Sequence, residues 1–242
     1  MVMGFPGSTN RYMTSYEVKE LLDIEHPNRI KIRGIKQDIM MSDMMQSDAV
    51  RIQYSSKYSR SSNYWKYSIG QSQGLKNLQV IERKEEQQLK FTEWLHENEE
   101  REEKYGETLD LIKSGVEGRK DLEHTFRYLW ECMYMGMETI PFALKFRDLF
   151  EALSKEEVDQ EEIDKITERI GSELDDFYKD YNLETDKKIT KAMIELMLED
   201  VSDSYQDEVL LEVKEKYDGR LDKYVNRYFK KSMFPHREEV EK

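Results

Sequence analysis

Residues 70–74, GQSQG, have the G-x-S-x-G spacing with which a serine nucleophile is presented at a sharp strand-to-helix turn. Polar, helix-forming residues stand on both sides of this string, and no buried strand precedes it. The two glycines therefore predict a turn between helices, with Ser72 as an ordinary loop serine. An esterase that uses Ser72 is an alternative, but it requires strands that the sequence does not provide.

The other residue types capable of chemistry are scattered. The four histidines occur singly, and no H-x-x-x-H, H-E-x-x-H or calcium-loop pattern is present, which predicts no metal and no cofactor. Cys132 is the single cysteine and lies between apolar residues, so it is interpreted as a packing residue. The methionine pairs at 40–41 and 44–45 have helical spacing and are interpreted as core or interface residues.

The segment YSSKYSRSSNYWK, residues 54–66, has a different character. Taken as a helix, it divides into an aromatic face and a polar face. The aromatic face, extended by one turn, holds Tyr54, Tyr58, Trp65 and Ile69, and the polar face holds Ser56, Ser59, Arg60, Asn63 and Lys66. Serine and asparagine are indifferent helix formers, so their concentration here indicates either close packing against another element or a binding face.

The surrounding pattern predicts an all-α protein. Ser15 begins a helix that ends at His26, before Pro27, and a much longer helix runs from about residue 28 to 69. Residues 75–105 form a highly charged arm or hairpin helix, residues 114–118 a glycine-containing loop, and Pro141 marks the start of another helix. Two apolar stripes have helical spacing. They are Leu122, Phe126, Leu129, Trp130, Met133 and Met137, and then Ile163, Ile166, Ile170, Leu174, Phe177 and Tyr181.

The amino-terminal residues predict one exception. Residues 2–5 have the character of a strand end, and Pro6-Gly7 that of a turn. A single strand cannot satisfy its own edges, so its partners are expected in another segment. The predicted fold is an elongated multi-helix bundle with a short β stub at the amino terminus.

Composition restricts the function. Hydrophobic residues make up 38% and charged residues 37%, with a mean hydropathy of -0.87 and a net charge of -13. Such an acidic chain is a poor candidate for nucleic-acid binding. No run approaches the roughly 20 apolar residues of a membrane span, and the first residues lack the pattern of a signal peptide.

Two stretches, GFPGSTNRYMTSYEV at residues 4–18 and YSSKYSRSSNYWK, resemble the dipeptidyl-peptidase 7 and 11 family of serine exopeptidases from Gram-negative bacteria. In that family a chymotrypsin-like double β-barrel carries a His, Asp and Ser triad, and a large helical domain is inserted between the barrels. The resemblance implies that residues 1–14 end a barrel segment and that residues 15–242 form the helical lid domain. It also implies that the triad lies elsewhere and that this chain alone is inactive.

The resemblance further implies a function for the parent enzyme, the release of dipeptides from the free amino termini of peptides. The family's amine-holding asparagine in the helical domain matches Asn63. The expected partner is a peptide substrate, with no nucleic acid and no membrane, and a homodimer of a periplasmic or cell-surface parent is compatible with the family. The alternative is a free-standing acidic helical module that binds partner helices.

Overall fold

The computed structural model describes residues 11–242, and every regular element within that range is a helix, so the all-α prediction is confirmed. The predicted strand end at residues 2–5 and the turn at Pro6-Gly7 lie outside the described residues. In chain order the α-helices are α1 Ser15–Glu20, α2 His26–Gln46, α3 Asp48–Asn77, α4 Val80–His96, α5 Glu99–Tyr105, α6 Thr108–Gly118, α7 Lys120–Tyr128, α8 Thr139–Leu144, α9 Arg147–Leu153, α10 Gln160–Lys179, α11 Leu183–Asp200, α12 Glu208–Tyr217, α13 Leu221–Lys231 and α14 Arg237–Val240. Two π-helical segments, Leu21–Glu25 and Leu129–Tyr134, and a 3₁₀ turn, Asp203–Tyr205, complete the chain.

The first helix does not end at His26, so that prediction is wrong. Thr14 caps α1, since its hydroxyl accepts from the Glu17 N–H at 3.4 Å and its own N–H donates to the Glu17 carboxylate at 2.7 Å. The π-helical segment Leu21–Glu25 then leads directly into α2. Pro27 has no N–H and its ring crowds the preceding turn. The wider π turn before Pro27 gives that ring room, so the helical path continues.

The predicted helix over residues 28–69 is interrupted at Ser47, and its continuation passes through both Gly70 and Gly74 to the end of α3. The predicted break at these glycines is therefore wrong, as is the predicted loop at residues 114–118, which belongs to α6. A glycine costs a helix only about 1 kcal/mol relative to alanine, which neighbouring residues can offset. The chain turns instead after Asn77, where Gln79 adopts a left-handed φ of 49°.

The described residues form two compact units. Unit 1 comprises residues 11–27 and 68–123, in which α1 packs against α4 and α6. Its buried hydrophobic side chains are Val18, Leu22, Ile24 and Leu95. The charged arm predicted for residues 75–105 is present as α4 and α5, and its apolar residues Leu78, Leu89 and Trp94 are exposed. Unit 1 is therefore a small core beneath a strongly solvated surface.

Unit 2 comprises residues 28–67 and 124–242. Helix α11 lies at its centre and packs against α12, α13 and the π-helical segment Leu129–Tyr134. The side chains of Ile189, Met193 and Met197 on α11 are all at most 1% exposed. A second apolar cluster gathers Phe142, Phe146 and Ile170 with their partly buried neighbours Ile166, Leu174 and Phe177. The stripe predicted for residues 163–181 therefore supplies this cluster from α10.

The other predicted stripe is confirmed for three of its six residues. Leu129, Met133 and Met137 lie in or against the apolar cluster around α11. Leu122, Phe126 and Trp130 are instead 40–57% exposed, and the buried positions beside them are Thr125, Tyr128, Glu131 and Cys132. The π-helical segment changes the number of residues per turn, so a constant 3.6-residue period does not carry through it. Within residues 11–242, no helix combines the length and apolar character needed to cross a membrane.

Candidate functional site

Helix α3 presents the polar face predicted from its sequence. Ser56, Ser59, Arg60, Asn63 and Lys66 are all exposed on the helix, whereas Tyr54 is fully buried and Tyr58, Trp65 and Ile69 are half-buried. The predicted division of residues 54–66 into an aromatic and a polar face is confirmed. The Asn63 amide is thus accessible on a helix whose opposite side is anchored in unit 2.

The turn of α3 that carries Asn63 is held against α2. The Trp65 indole N–H donates to the Ile30 carbonyl at 3.0 Å. Gly34 lies beside this ring, and a Cβ at that position would be 3.5 Å from the Trp65 Nε1 atom. Ser61 and Ser62, which precede Asn63, are buried, and their small side chains permit close packing. Packing thus accounts for part of the serine-rich composition, and Asn63 remains exposed beside it.

An ionic cluster secures the same turn. The Arg33 guanidinium lies 5.2 Å from the centroid of the Tyr64 ring and donates to the Glu131 carboxylate at 2.7 Å. Arg29 donates to the same carboxylate at 3.0 Å. Glu131 is 2% exposed, so these charge-assisted hydrogen bonds form in a low-dielectric environment where they are strong and directional. The neighbour of Asn63 is thereby fixed to α2.

This geometry determines what Asn63 can do. Its amide oxygen can accept a hydrogen bond from an ammonium group without adding a charge, and its amide nitrogen can donate to a carbonyl. A side chain on a rigid helix loses little freedom when it binds, which favours recognition of a small polar group. The site can therefore hold and orient a ligand, and Asn63 itself supplies no nucleophile or general base.

Ser72 does not lie at a nucleophile elbow. It is a half-buried residue within continuous helix α3, so its assignment to a loop is wrong. Its hydroxyl lies 2.7 Å from Nδ1 of His26, which is 1% exposed. The strand and sharp turn that a nucleophile elbow requires are absent from residues 11–242. The contact joins α3 to the first turn of α2 within unit 1.

The remaining candidates are structural. Cys132 is fully buried, as predicted for a packing residue, and burial raises the pKa of its thiol, which keeps it unreactive. His124 accepts from Asn28 through Nδ1 and donates to the Asp200 carbonyl through Nε2, which fixes its tautomer. Met40 is buried, whereas Met45 is 80% exposed. Residues 11–242 contain no group of three or more side chains arranged to hold a metal ion.

A buried polar cluster in unit 2 was not predicted from the sequence. Asp186 is fully buried, and it accepts from the Glu138 N–H at 3.0 Å and the Tyr181 hydroxyl at 3.3 Å. Burial, reinforced by the charge of Glu138, raises the pKa of Asp186 to about 7. Lys57 on α3 forms an ion pair with Glu138. A sequence signal did exist, because Asp186 falls on the apolar stripe of α11, three residues before Ile189.

Comparison with known proteins identifies the family. The Peptidase S46 family model matches residues 1–242, and this chain belongs to that family. Dipeptidyl-peptidase 7 of Porphyromonas endodontalis is 36% identical over 240 residues, covering 99% of this chain and 28% of the relative. Dipeptidyl-peptidase 7 of Porphyromonas gingivalis is 35% identical over 237 residues, covering 98% and 32%, respectively. The Asp/Glu-specific dipeptidyl-peptidase of Porphyromonas gingivalis is 31% identical over 236 residues.

The fold agrees with solved structures as well. Porphyromonas endodontalis DPP11 in complex with the dipeptide Arg-Glu matches with a TM-score of 0.76 and 28% identity. That match covers 98% of this chain and 33% of the DPP11 chain. The same protein in complex with the dipeptide Arg-Asp matches with a TM-score of 0.77. The chain thus spans about a third of the length of the relatives that it matches, and the resemblance seen in its sequence motifs is confirmed.

Proposed function

We propose that this chain is the helical, substrate-capping part of a dipeptidyl-peptidase that releases dipeptides from the free amino termini of peptides. Membership of the Peptidase S46 family supports the reaction class, and the dipeptide complexes of DPP11 support a peptide ligand. The match along residues 1–242 favours this function over a free-standing helical adaptor. The parent enzyme is proposed to act in the periplasm or at the cell surface.

In this proposal the triad belongs to the rest of the parent enzyme. There the serine attacks the carbonyl after the second residue of the peptide, with histidine as general base and aspartate as its orienting partner. The helical part limits access to the site and excludes water when it closes over the substrate. Ser72 takes no part in the reaction, so the 242-residue chain alone is expected to hydrolyse no dipeptidyl substrate.

The observation that carries the proposal is the placement of Asn63. An exopeptidase that counts two residues must fix the free amino terminus, and an asparagine oxygen can accept a hydrogen bond from that ammonium group. Asn63 is exposed on a helical turn secured by Trp65 and by the Arg33–Glu131 pair. An accessible amide on such a rigid support suits the capture of one small charged group.

The test is kinetic and uses the parent enzyme that contains this chain. Asn63→Ala should lower kcat/KM for dipeptidyl substrates by roughly ten- to a hundredfold, since a hydrogen bond to a charged group contributes about 1.5–3 kcal/mol. Ser59→Ala, one turn earlier on the same exposed face, is the matched control and should leave kcat/KM unchanged. Asn63→Asp keeps an acceptor and should retain more activity than Asn63→Ala. Unchanged kinetics for Asn63→Ala, or loss of the fold, would make this residue ordinary helix surface.

A further inference from the structure

A cavity of about 110 Å³ lies inside unit 2, bordered by the π-helical segment Leu129–Tyr134 and by α8, α11, α12 and α13. Its lining is mostly carbon and sulfur. Three of the contributing side chains are methionines and two are tyrosines, namely Met133, Met137, Met197, Tyr224 and Tyr228. The cavity shares no residue with the polar face of α3, so the function proposed for Asn63 does not account for it.

Thr190 on α11 supplies an unused polar group in this lining. The residue is 1% exposed, and its Oγ1 atom is buried with no hydrogen-bond partner among residues 11–242. Three other polar side chains line the cavity; Tyr224 is partly exposed to solvent, and the polar groups of the other two are engaged. The Tyr228 hydroxyl shares a hydrogen bond with Thr139 at 3.0 Å, and the Asp207 carboxylate accepts from the Leu210 N–H at 3.0 Å. Thr190 therefore has hydrogen-bonding capacity available to a ligand.

The empty cavity and the unpartnered Thr190 hydroxyl each lower the stability of the folded chain. Protein interiors contain few voids larger than a water molecule, and a void lowers stability in proportion to its volume. A buried hydroxyl without a partner is also unfavourable, because it has given up its hydrogen bonds to water. A ligand that fills the cavity and bonds Thr190 removes both costs. We propose that this cavity is a binding site for a small uncharged aromatic molecule with one hydroxyl group, of the phenol class.

Size and chemistry select that class. An apolar cavity of roughly 150 Å³ holds a benzene ring in another protein, so a cavity of this order suits a single ring. Thioether sulfurs make favourable contacts with aromatic ring edges, and three methionines border the cavity. One ligand hydroxyl matches one unused threonine hydroxyl. An anion is excluded, because the Asp207 carboxylate in the lining repels it. A cation would pair with the exposed Asp207 at the rim and not with Thr190 in the apolar interior, where an ion without a counter-charge is strongly disfavoured.

The start of α12 offers a route of entry. Asp207 and Val209 both line the cavity, and Asp207 is exposed while Val209 is partly exposed. The 3₁₀ turn Asp203–Tyr205 immediately precedes this point and is mostly solvated. A ligand can therefore reach Thr190 without separation of the large apolar helices α11 and α13.

The test uses the 242-residue chain with methyl-labelled methionine, titrated with phenol and with benzene. Phenol should shift the methyl signals of Met133, Met137 and Met197 saturably and leave that of the exposed Met45 unchanged. At ten times its dissociation constant it should raise Tm by about 3–5 °C. Phenol should bind about three- to tenfold more tightly than benzene, because only phenol bonds Thr190.

Three substitutions complete the test. Thr190→Val keeps the side-chain shape without the hydroxyl, so this variant should bind phenol and benzene with about equal affinity. Thr190→Ser keeps a hydroxyl and should still prefer phenol. Val209→Phe should fill the entry and abolish binding of both ligands. The proposal is overturned if phenol gives no saturable shift of the three methyl signals, shifts Met45 equally, or keeps its preference in Thr190→Val. If Thr190→Val does not fold, the phenol and benzene titrations of the wild-type chain still decide.

Discussion

The two units of this chain use their side chains differently. In unit 2, both apolar clusters are assembled around α11 and α10, and charged residues such as Glu131 are buried with partners. In unit 1, only a few hydrophobic side chains are buried, and ion pairs such as Lys19–Glu85 lie in solvent, with their side chains 45% and 47% exposed. The same proportion of charged residues can thus stabilise a core or cover a surface.

The difference bears on the placement of Asn63, the proposed binding residue. Asn63 belongs to unit 2, on the helix that contributes Tyr54 to the large cluster, so its position is fixed by a well-packed core. The G-x-S-x-G motif at residues 70–74 belongs to unit 1, where less buried apolar area is available to hold a reacting group in place. Sites that require accurate geometry are expected on elements of high local stability.

The largest expected contrast concerns matched glutamates. Glu131→Gln removes the charge that Arg29 and Arg33 share in the interior of unit 2, and leaving buried charges without a partner should cost about 3–5 kcal/mol. Glu85→Gln removes the partner of Lys19 at the surface of unit 1 and should cost about 0–1 kcal/mol. Urea unfolding measures both changes. Equal losses of unfolding free energy would remove the distinction between the two units.

A buried leucine in unit 2 and an exposed leucine in unit 1 allow the same comparison of the two units for apolar side chains. Leu196 in unit 2 is 5% exposed, and Leu196→Ala should lower the free energy of unfolding by about 2–5 kcal/mol through lost burial and a residual cavity. Leu89 in unit 1 is 65% exposed, and Leu89→Ala should change it by less than about 0.5 kcal/mol. Thermal unfolding of the two variants supplies the comparison. A large loss of unfolding free energy for Leu89→Ala would show that Leu89 contributes to a hydrophobic core in unit 1.

The buried acid of unit 2 should make stability depend on pH. The folded-state pKa of Asp186, about 7, lies above the ordinary value of 3.8, so its contribution to stability is fully present below pH 3.8 and is lost as the pH rises through 7. Asp186→Asn cannot titrate. The difference in unfolding free energy between wild type and Asp186→Asn should therefore fall by about 2–4 kcal/mol between pH 4 and 8.

The groups that face Asp186 are Glu138, Lys36 and Tyr181, and Lys57 pairs with Glu138. They remain in the variant, so the difference reports the titration of Asp186 together with its electrostatic effect on these neighbours. Guanidinium unfolding at a series of pH values supplies the data. A difference that does not change with pH would mean that Asp186 is ionised throughout this range and that its pKa is not raised.

Much of the fold followed from the sequence, because helical periodicity depends on neighbouring residues. The stripe on α10 and the two faces of α3 were predicted correctly, since each pattern is local to one helix. The stripe through residues 122–137 was predicted correctly only for Leu129, Met133 and Met137, because the π-helical segment changes the period. The predicted helix break at Gly70 was wrong, because a single glycine destabilises a helix only weakly when helix-forming residues stand on either side of it.

The candidate site was only partly predictable for a related reason. Asn63 was found through the family resemblance and its place on the polar face, and both depend on nearby residues. The residues that secure it were not found, because Glu131 lies 98 positions from Arg33 and no local window contains both. The Asp186 cluster likewise joins α3, the residue before α8 and the first turn of α11. Pairings over such distances are set by tertiary packing and leave only indirect traces in sequence.

The central claim is that Asn63 recognises the free amino group of a peptide, and binding of a dipeptide with and without that group tests it most directly. In the parent enzyme, Asn63→Ala should weaken inhibition by a dipeptide by roughly ten- to a hundredfold. It should weaken inhibition by the des-amino analogue by less than about twofold. That compound has no ammonium group, so Asn63 makes no hydrogen bond to it even in the wild-type complex. Equal weakening for the two compounds, or none for either, would contradict the account.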